Sequence, residues 1–175
     1  MRLAFLSVGL LLIGSPRKAP VRSLTVGTFH VELDSTLRSA AHQALGATPE
    51  NRSGDGAASD TWLCYTLTDG YHLRLESGEM SGESVGGFWI GPAAADTARG
   101  QCTRLALRAT DIHTDRGLRI GLSMSRLRTA LGRPTHTGPR WLEYRYDAGT
   151  VSSMITVHYR GNRVTTLDGF VFHTD

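Results

Sequence analysis

Trp62-Leu63-Cys64-Tyr65 is answered 79 residues later by Trp141-Leu142-Glu143-Tyr144. Keeping Trp, Leu and Tyr at fixed offsets predicts two copies of one supersecondary unit. The echo extends outward from both stretches. Ala44-Leu45-Gly46 matches Ala130-Leu131-Gly132 at an offset of 86, and Gly87-Phe88-Trp89-Ile90 matches Gly169-Phe170-Val171-Phe172 at an offset of 82. Offsets that differ by a few residues place short insertions in loops between shared elements.

Around these anchors the periodicity switches between helical and extended. Leu24, Val26, Phe29, Val31 and Leu33 predict an extended leading segment, and Asp34-Ser35 offers side-chain oxygens to cap a helix carrying Leu37, Ala41, Ala44 and Leu45. Gly46 supplies the helix stop. In the second copy, Ser123 is the cap, Met124, Leu127 and Leu131 the buried stripe, and Gly132-Arg133-Pro134 the stop. Alternation then predicts strands at 62–67, 71–76, 85–90 and 103–110, and again at 141–146, 152–160 and 163–172. Asp69-Gly70 and Gly161-Asn162 stand where tight hairpins need positive φ. The expected fold class is α+β: two tandem repeats, each a helical segment packed on an antiparallel β-meander, with residues 21–110 in the first and 111–175 in the second.

Parity assigns faces, because side chains alternate across a strand. Leu63, Tyr65, Leu67, Tyr71, Leu73, Leu75, Phe88 and Ile90, with Leu142, Tyr144, Tyr146, Ile155, Val157, Tyr159, Phe170 and Phe172, form the apolar set expected to face the helices. Pointing the other way are Trp62, Cys64, His72, Arg74, Glu76, Trp89, Trp141, Glu143, Arg145, His158, Arg160, Val171 and His173. Three tryptophans on a half-polar face, flanked by Arg74, Arg145 and Glu143, have the composition of a protein-binding surface. The alternative is that the tryptophans are covered, by the segment 91–100 or by the other repeat.

Residues 1–20 have the pattern of a secretory signal, with a buried N-terminal strand or helix as the alternative: Arg2, the apolar run Leu3 to Ile13, then Gly14-Ser15-Pro16. The run is too short to span a bilayer as a helix. The expected location is periplasmic or secreted. There an isolated cysteine pair, Cys64 and Cys102, is expected to form one disulfide, with two buried free thiols as the alternative. In a simple meander the strands carrying them are not neighbours, so the segment around Cys102 must cross the face or pair elsewhere.

The net charge of +3 hides an asymmetry. Between Glu50 and Asp96 the balance is −6, whereas between Arg99 and Arg145 ten arginines against three acids give +7. Either the halves complement each other or the second presents a surface for anions. No nucleic-acid motif is present. The seven histidines lack metal-ligand spacing, Lys18 is the only lysine, and no nucleophile elbow or zinc motif occurs. No catalytic residue, metal or cofactor is therefore expected, and the chain reads as no enzyme.

An apolar-Gly segment around Gly121, a helix carrying Leu127 and Leu131, the Gly132-x-Pro134 stop and the Trp141-x-x-Tyr144 strand together resemble the SmpA/OmlA family of outer-membrane assembly proteins. Leu45, Gly46, Trp62 and Tyr65 repeat part of the pattern. Two such units in tandem resemble beta-lactamase inhibitory proteins, whose paired repeats present a concave sheet to a target enzyme. The chain departs from both: it has no cysteine after the apolar run for lipidation, and one cysteine pair instead of loop disulfides within each repeat. The expected function is an exported, non-enzymatic protein-binding module. The alternatives are an inhibitor of a periplasmic or secreted hydrolase, inserting Asp55 or Asp69 into its target, and an enzyme of unrecognised mechanism with a deep pocket of titratable groups.

Overall fold

The structure, a computed structural model, describes residues 20–54, 59–78, 81–98 and 100–173. The expected signal segment and Asp55 lie outside them, apart from Pro20. The chain is mostly β, which corrects the expected α+β class. Its two α-helices, α1 (Arg38–Leu45) and α2 (Met124–Leu131), are eight residues each. A three-stranded sheet has the order β2-β1-β8, from β1 (Ser23–Val26), β2 (Phe29–Glu32) and β8 (Ile112–Thr114). The main sheet has nine strands. Its path is β3 (Glu50–Ser53), β4 (Asp60–Leu67), β5 (Tyr71–Ser77), β6 (Gly87–Pro92), β12 (Arg163–His173), β11 (Val151–Arg160), β10 (Trp141–Ala148) and β9 (His136–Thr137). The ninth, β7 (Thr103–Leu105), pairs with β4 in parallel.

The two meanders do not stand apart. β6 pairs with β12 through Leu167↔Ile90, Asp168↔Trp89, Gly169↔Phe88 and Phe170↔Gly87, and this seam fuses them into one sheet. Without it both strands would present open edges, which invite association with other chains. Each Gly-Phe dipeptide is laid against the other in reverse. A Cβ on Gly169 would come within 2.7 Å of the Phe88 ring, and one on Gly87 would overlap the Phe170 ring. Each glycine thus makes room for the partner strand's aromatic side chain.

This pairing also corrects the face assigned to Phe170 and Phe172. Directly opposed residues in an antiparallel pair share a face. Phe170 therefore lies on the Gly87 face, away from the helices, while Phe88 lies on the helix face and is fully buried. Leu167 is buried in the core and Val171 packs against it, in place of the two phenylalanines.

The helix face otherwise follows the alternation. Leu63, Tyr65, Leu73, Leu75, Phe88, Ile90, Leu142, Tyr144, Ile155 and Val157 join one core cluster with Leu24, Val31 and Ile112 of the small sheet and Ala41, Leu127 and Leu131 of the helices. Burying each large apolar side chain contributes about 1.5–3 kcal/mol. Ser123 caps α2 as expected, accepting from the Arg126 N–H at 3.4 Å. No side chain caps α1: Leu37 holds the N-cap position, and Asp34 sits at a φ of 68° with its N–H donating to Val85 O. The helix C-termini are clasped alike. The Tyr65 hydroxyl donates to Gly46 O and the Tyr146 hydroxyl to Leu131 O, both at 3.1 Å. The equivalent of Tyr65 in the Trp-Leu-x-Tyr motif is Tyr144, so the second helix is clasped from two residues further along the strand and at the carbonyl one residue earlier.

Gly169→Ala tests the seam. Relief of the overlap requires the Phe88 ring to leave its buried position, and the substitution is expected to lower stability by about 1–3 kcal/mol in urea denaturation. An unchanged midpoint would show that the ring does not depend on this glycine.

Candidate functional site

The side of the main sheet away from the helices divides in two. Cys64, Arg74, Trp89, Asp168, Thr156 and Glu143 form one continuous cross-strand row over β4, β5, β6, β12, β11 and β10. The next row runs Trp62, Glu76, Gly87, Phe170, Met154, Arg145. In the first half these rows lie under a strap that leaves β6 and returns to β4, described at residues 93–98 and 100–102. In the second half they carry no such cover from the described residues.

Four contacts hold the strap. Cys64 and Cys102 form the expected disulfide, reconciled with the meander by the parallel pairing of β7 on β4. A separation of 38 residues makes this cross-link worth about 4 kcal/mol in the chain-entropy account. Asp96, its side chain almost fully buried, receives the Ala98 N–H at 3.1 Å and lies 3.3 Å from Arg74 Nη1 and 2.9 Å from His72 Nδ1. Asn51 holds the far end, accepting from the Gln101 N–H at 2.7 Å and donating to Gln101 O at 3.0 Å.

Under this cover Trp62 and Trp89 are only 5% and 8% exposed, the covered alternative for both. The Arg74 guanidinium lies 4.9 Å from the centre of the Trp89 ring and 3.0 Å from Glu76 Oε1. Trp141 is half-buried, its indole packed over Gly138, which has no Cβ to obstruct it. Glu143 pairs with Arg145, whose Nε donates to Oε1 at 2.8 Å, and Arg145 is 54% exposed. The predicted binding residues thus divide. Trp62, Arg74 and Trp89 are engaged beneath the strap, whereas Trp141, Glu143 and Arg145 belong to the uncovered half.

That half includes residues that alternation alone did not assign to it. Met154 and Phe170 are half-buried, and Phe172 is 39% exposed. Asp168, also unassigned, lies between Thr156 and Trp89. The signal for Phe170 and Phe172 was the pair of Gly-Phe dipeptides, read as equivalent when they are in fact partners.

Two carboxyls on this side are strongly perturbed. Burial pushes Glu76 up to about 7; Arg74 opposes the shift, and Asp168, Asp60 and Asp96 add to it. Burial likewise raises Asp168 to about 6 against the pull of Arg74. Asp168 Oδ1 and Arg74 Nε are buried without a hydrogen-bond partner among the described residues. Glu76 lines a cavity of about 540 Å³ with Trp62, Arg74, Asp60, Arg52 and Thr97. A second cavity, of about 420 Å³, opens at the strap edge between Trp89, Ala95, Arg140, His158 and Arg160. The only group of three or more metal-ligating side chains among the described residues is Cys64, His72 and Cys102. Asp69 is already engaged, its carboxylate accepting the Ala109 N–H at 3.1 and 3.2 Å.

Comparison with protein-family models, with curated proteins and with solved structures finds no match.

A carboxyl whose folded pKa exceeds its unfolded value binds more protons in the native state, so stability falls as pH rises between the two values. For Glu76 that window runs from 4.5 to about 7. Glu76→Gln is expected to flatten this part of the stability profile and to raise stability at pH 8 by on the order of 2 kcal/mol relative to its effect at pH 4. Parallel wild-type and variant profiles would mean that Glu76 is not held protonated by burial.

Proposed function

We propose that the chain is an exported, non-enzymatic protein-binding module whose docking face is the uncovered half of the sheet: Trp141, Glu143, Arg145, Met154, Phe170 and Phe172. The observation that carries this reading is Phe172. It is one of two large hydrophobic side chains left exposed among the described residues, and on that side of the sheet it stands opposite Ser152, beside the row Phe170, Met154 and Arg145. Aromatic and arginine side chains grouped on a half-buried surface are the usual anchors of a protein interface.

The charge at this face selects the partner's chemistry. Glu143 is already paired with Arg145, Asp168 is largely buried and Asp147 accepts from the Ser152 hydroxyl, while Arg140, Arg160 and His158 border the surface at its Trp141 end. The complementary partner is a protein segment that places acidic side chains around an apolar or aromatic residue. Export is supported by the disulfide, which belongs to oxidising compartments. No helix among the described residues is long and apolar enough to cross a membrane. The inhibitor reading uses the same face, but not Asp69 as an inserted residue, because that carboxylate is occupied by the Ala109 N–H.

Selection of a displayed random-peptide library against the purified protein tests the proposal. The expected peptides are acidic with an aromatic or aliphatic anchor, and Phe172→Ala and Arg145→Glu are each expected to weaken the best of them by about 2 kcal/mol with little change in thermal midpoint. Peptides of other composition, or binding that ignores both substitutions, would contradict the assigned face.

A further inference from the structure

The strap's cross-link sits among side chains that the proposed docking face does not use. One donor atom from each of Cys64, His72 and Cys102 lies within 4.8 Å of the others. His72 Nδ1 is 3.9 Å from Cys102 Sγ and 2.9 Å from Asp96 Oδ2. Asp96 can offer Oδ2 because its other oxygen, Oδ1, is held by the Ala98 N–H and by Arg74. Around a tetrahedral zinc ion with bonds of about 2.1 Å to nitrogen or oxygen and about 2.3 Å to sulfur, donors stand about 3.4 Å apart for N···O, about 3.6 Å for N···S and about 3.8 Å for S···S. The His72–Cys102 separation is within a few tenths of an ångström of its value, and the His72–Asp96 pair, now at hydrogen-bond distance, must open by about half an ångström. The two sulfurs, bonded to each other, must separate, and the Asp96 carboxylate, which lies outside the group of three, must move toward them.

We propose that reduction of the disulfide converts this cluster into a zinc site, with Cys64, Cys102, His72 and Asp96 as the four ligands. The reductant is a dithiol. Its thiolate attacks the Cys102 sulfur, the less buried of the two, the S–S bond breaks, and Cys64 departs as a thiolate that takes up a proton. The dithiol's second sulfur then closes on the first, so the reductant leaves as a disulfide and both cysteines become thiols. Zinc binding releases the two thiol protons to solvent, and no further electrons move.

The surroundings suit the metallated form. Two thiolates and the Asp96 carboxylate carry three negative charges, which a divalent ion and the Arg74 guanidinium balance. Arg74 and the Ala98 N–H fix the carboxylate from behind, as outer partners do for metal ligands. In this account the strap remains closed over Trp62 and Trp89 in either redox state, held by the S–S bond in one and by the metal in the other.

The test uses the full chain, a phosphine reductant and cobalt(II) alone as a spectroscopic probe. The expected result is a stoichiometric complex, formed only after reduction, showing thiolate-to-cobalt charge transfer and the intense d–d bands of a tetrahedral site, which zinc then discharges. His72→Ala and Asp96→Asn are each expected to weaken cobalt binding about 100-fold, and Arg74→Gln about tenfold. Where the reduced chain loses structure, cobalt is expected to restore the native circular dichroism together with these bands. The proposal is overturned by failure of the reduced chain to bind cobalt, by the weak bands of a six-coordinate ion, or by His72→Ala binding as tightly as wild type, which would leave two cysteines acting alone. None of these outcomes depends on the docking face, so the two readings succeed or fail separately.

Discussion

The pairing of two Gly-Phe dipeptides across the β6–β12 seam is the constraint on which the rest of the molecule depends. Opposing Gly87 to Phe170 and Phe88 to Gly169 sends one ring to each side of the sheet. Phe88 becomes part of the helix-side core, and Phe170 becomes part of the opposite surface. A one-residue slip would reverse both, since strand parity has a period of two. The two glycines oppose such a slip, because each is the residue that the facing ring overlies.

Once the seam is set, the helix-free side acquires its division. The first half brings Trp62, Trp89, Arg74, Glu76 and Cys64 to that surface, and burying two indoles there requires a lid. The strap supplies it, with Asp96 bonded to Arg74 and His72 and the disulfide closing its end. The burial that satisfies the tryptophans is also what raises Glu76 and Asp168, since both carboxyls are drawn into the same poorly hydrated layer. The second half has β11 and β12 joined by a tight Gly161-Asn162 turn and, among the described residues, no segment that crosses it. Its aromatic side chains consequently stay accessible.

Much of this was legible in the residues. Alternation located the long strands, Gly70 and Gly161 marked the hairpins, and the two lone cysteines implied the cross-link. The class did not follow, because a helical stripe in sequence says where a helix is and not how little of the fold it accounts for, and because β3, β8 and β9 are too short to show a period. The face that alternation predicts for Phe170 and Phe172 is inverted for a related reason. Treating Gly169-Phe170 as the copy of Gly87-Phe88 carries over its face, whereas pairing the copies antiparallel inverts it. Asp96 carries no sequence signal of its own; its importance comes from Arg74 and His72, two strand residues that reach it only when the chain crosses back over β5.

The central claim is that the seam makes one cooperative unit of the two meanders. Native-state amide hydrogen exchange as a function of urea measures it directly. The account predicts that the slowest amides of β4 and β5 and those of β10 and β11 converge on a single unfolding free energy with a common urea dependence. Two separate isotherms, with one meander exchanging through a local opening that leaves the other protected, would contradict it.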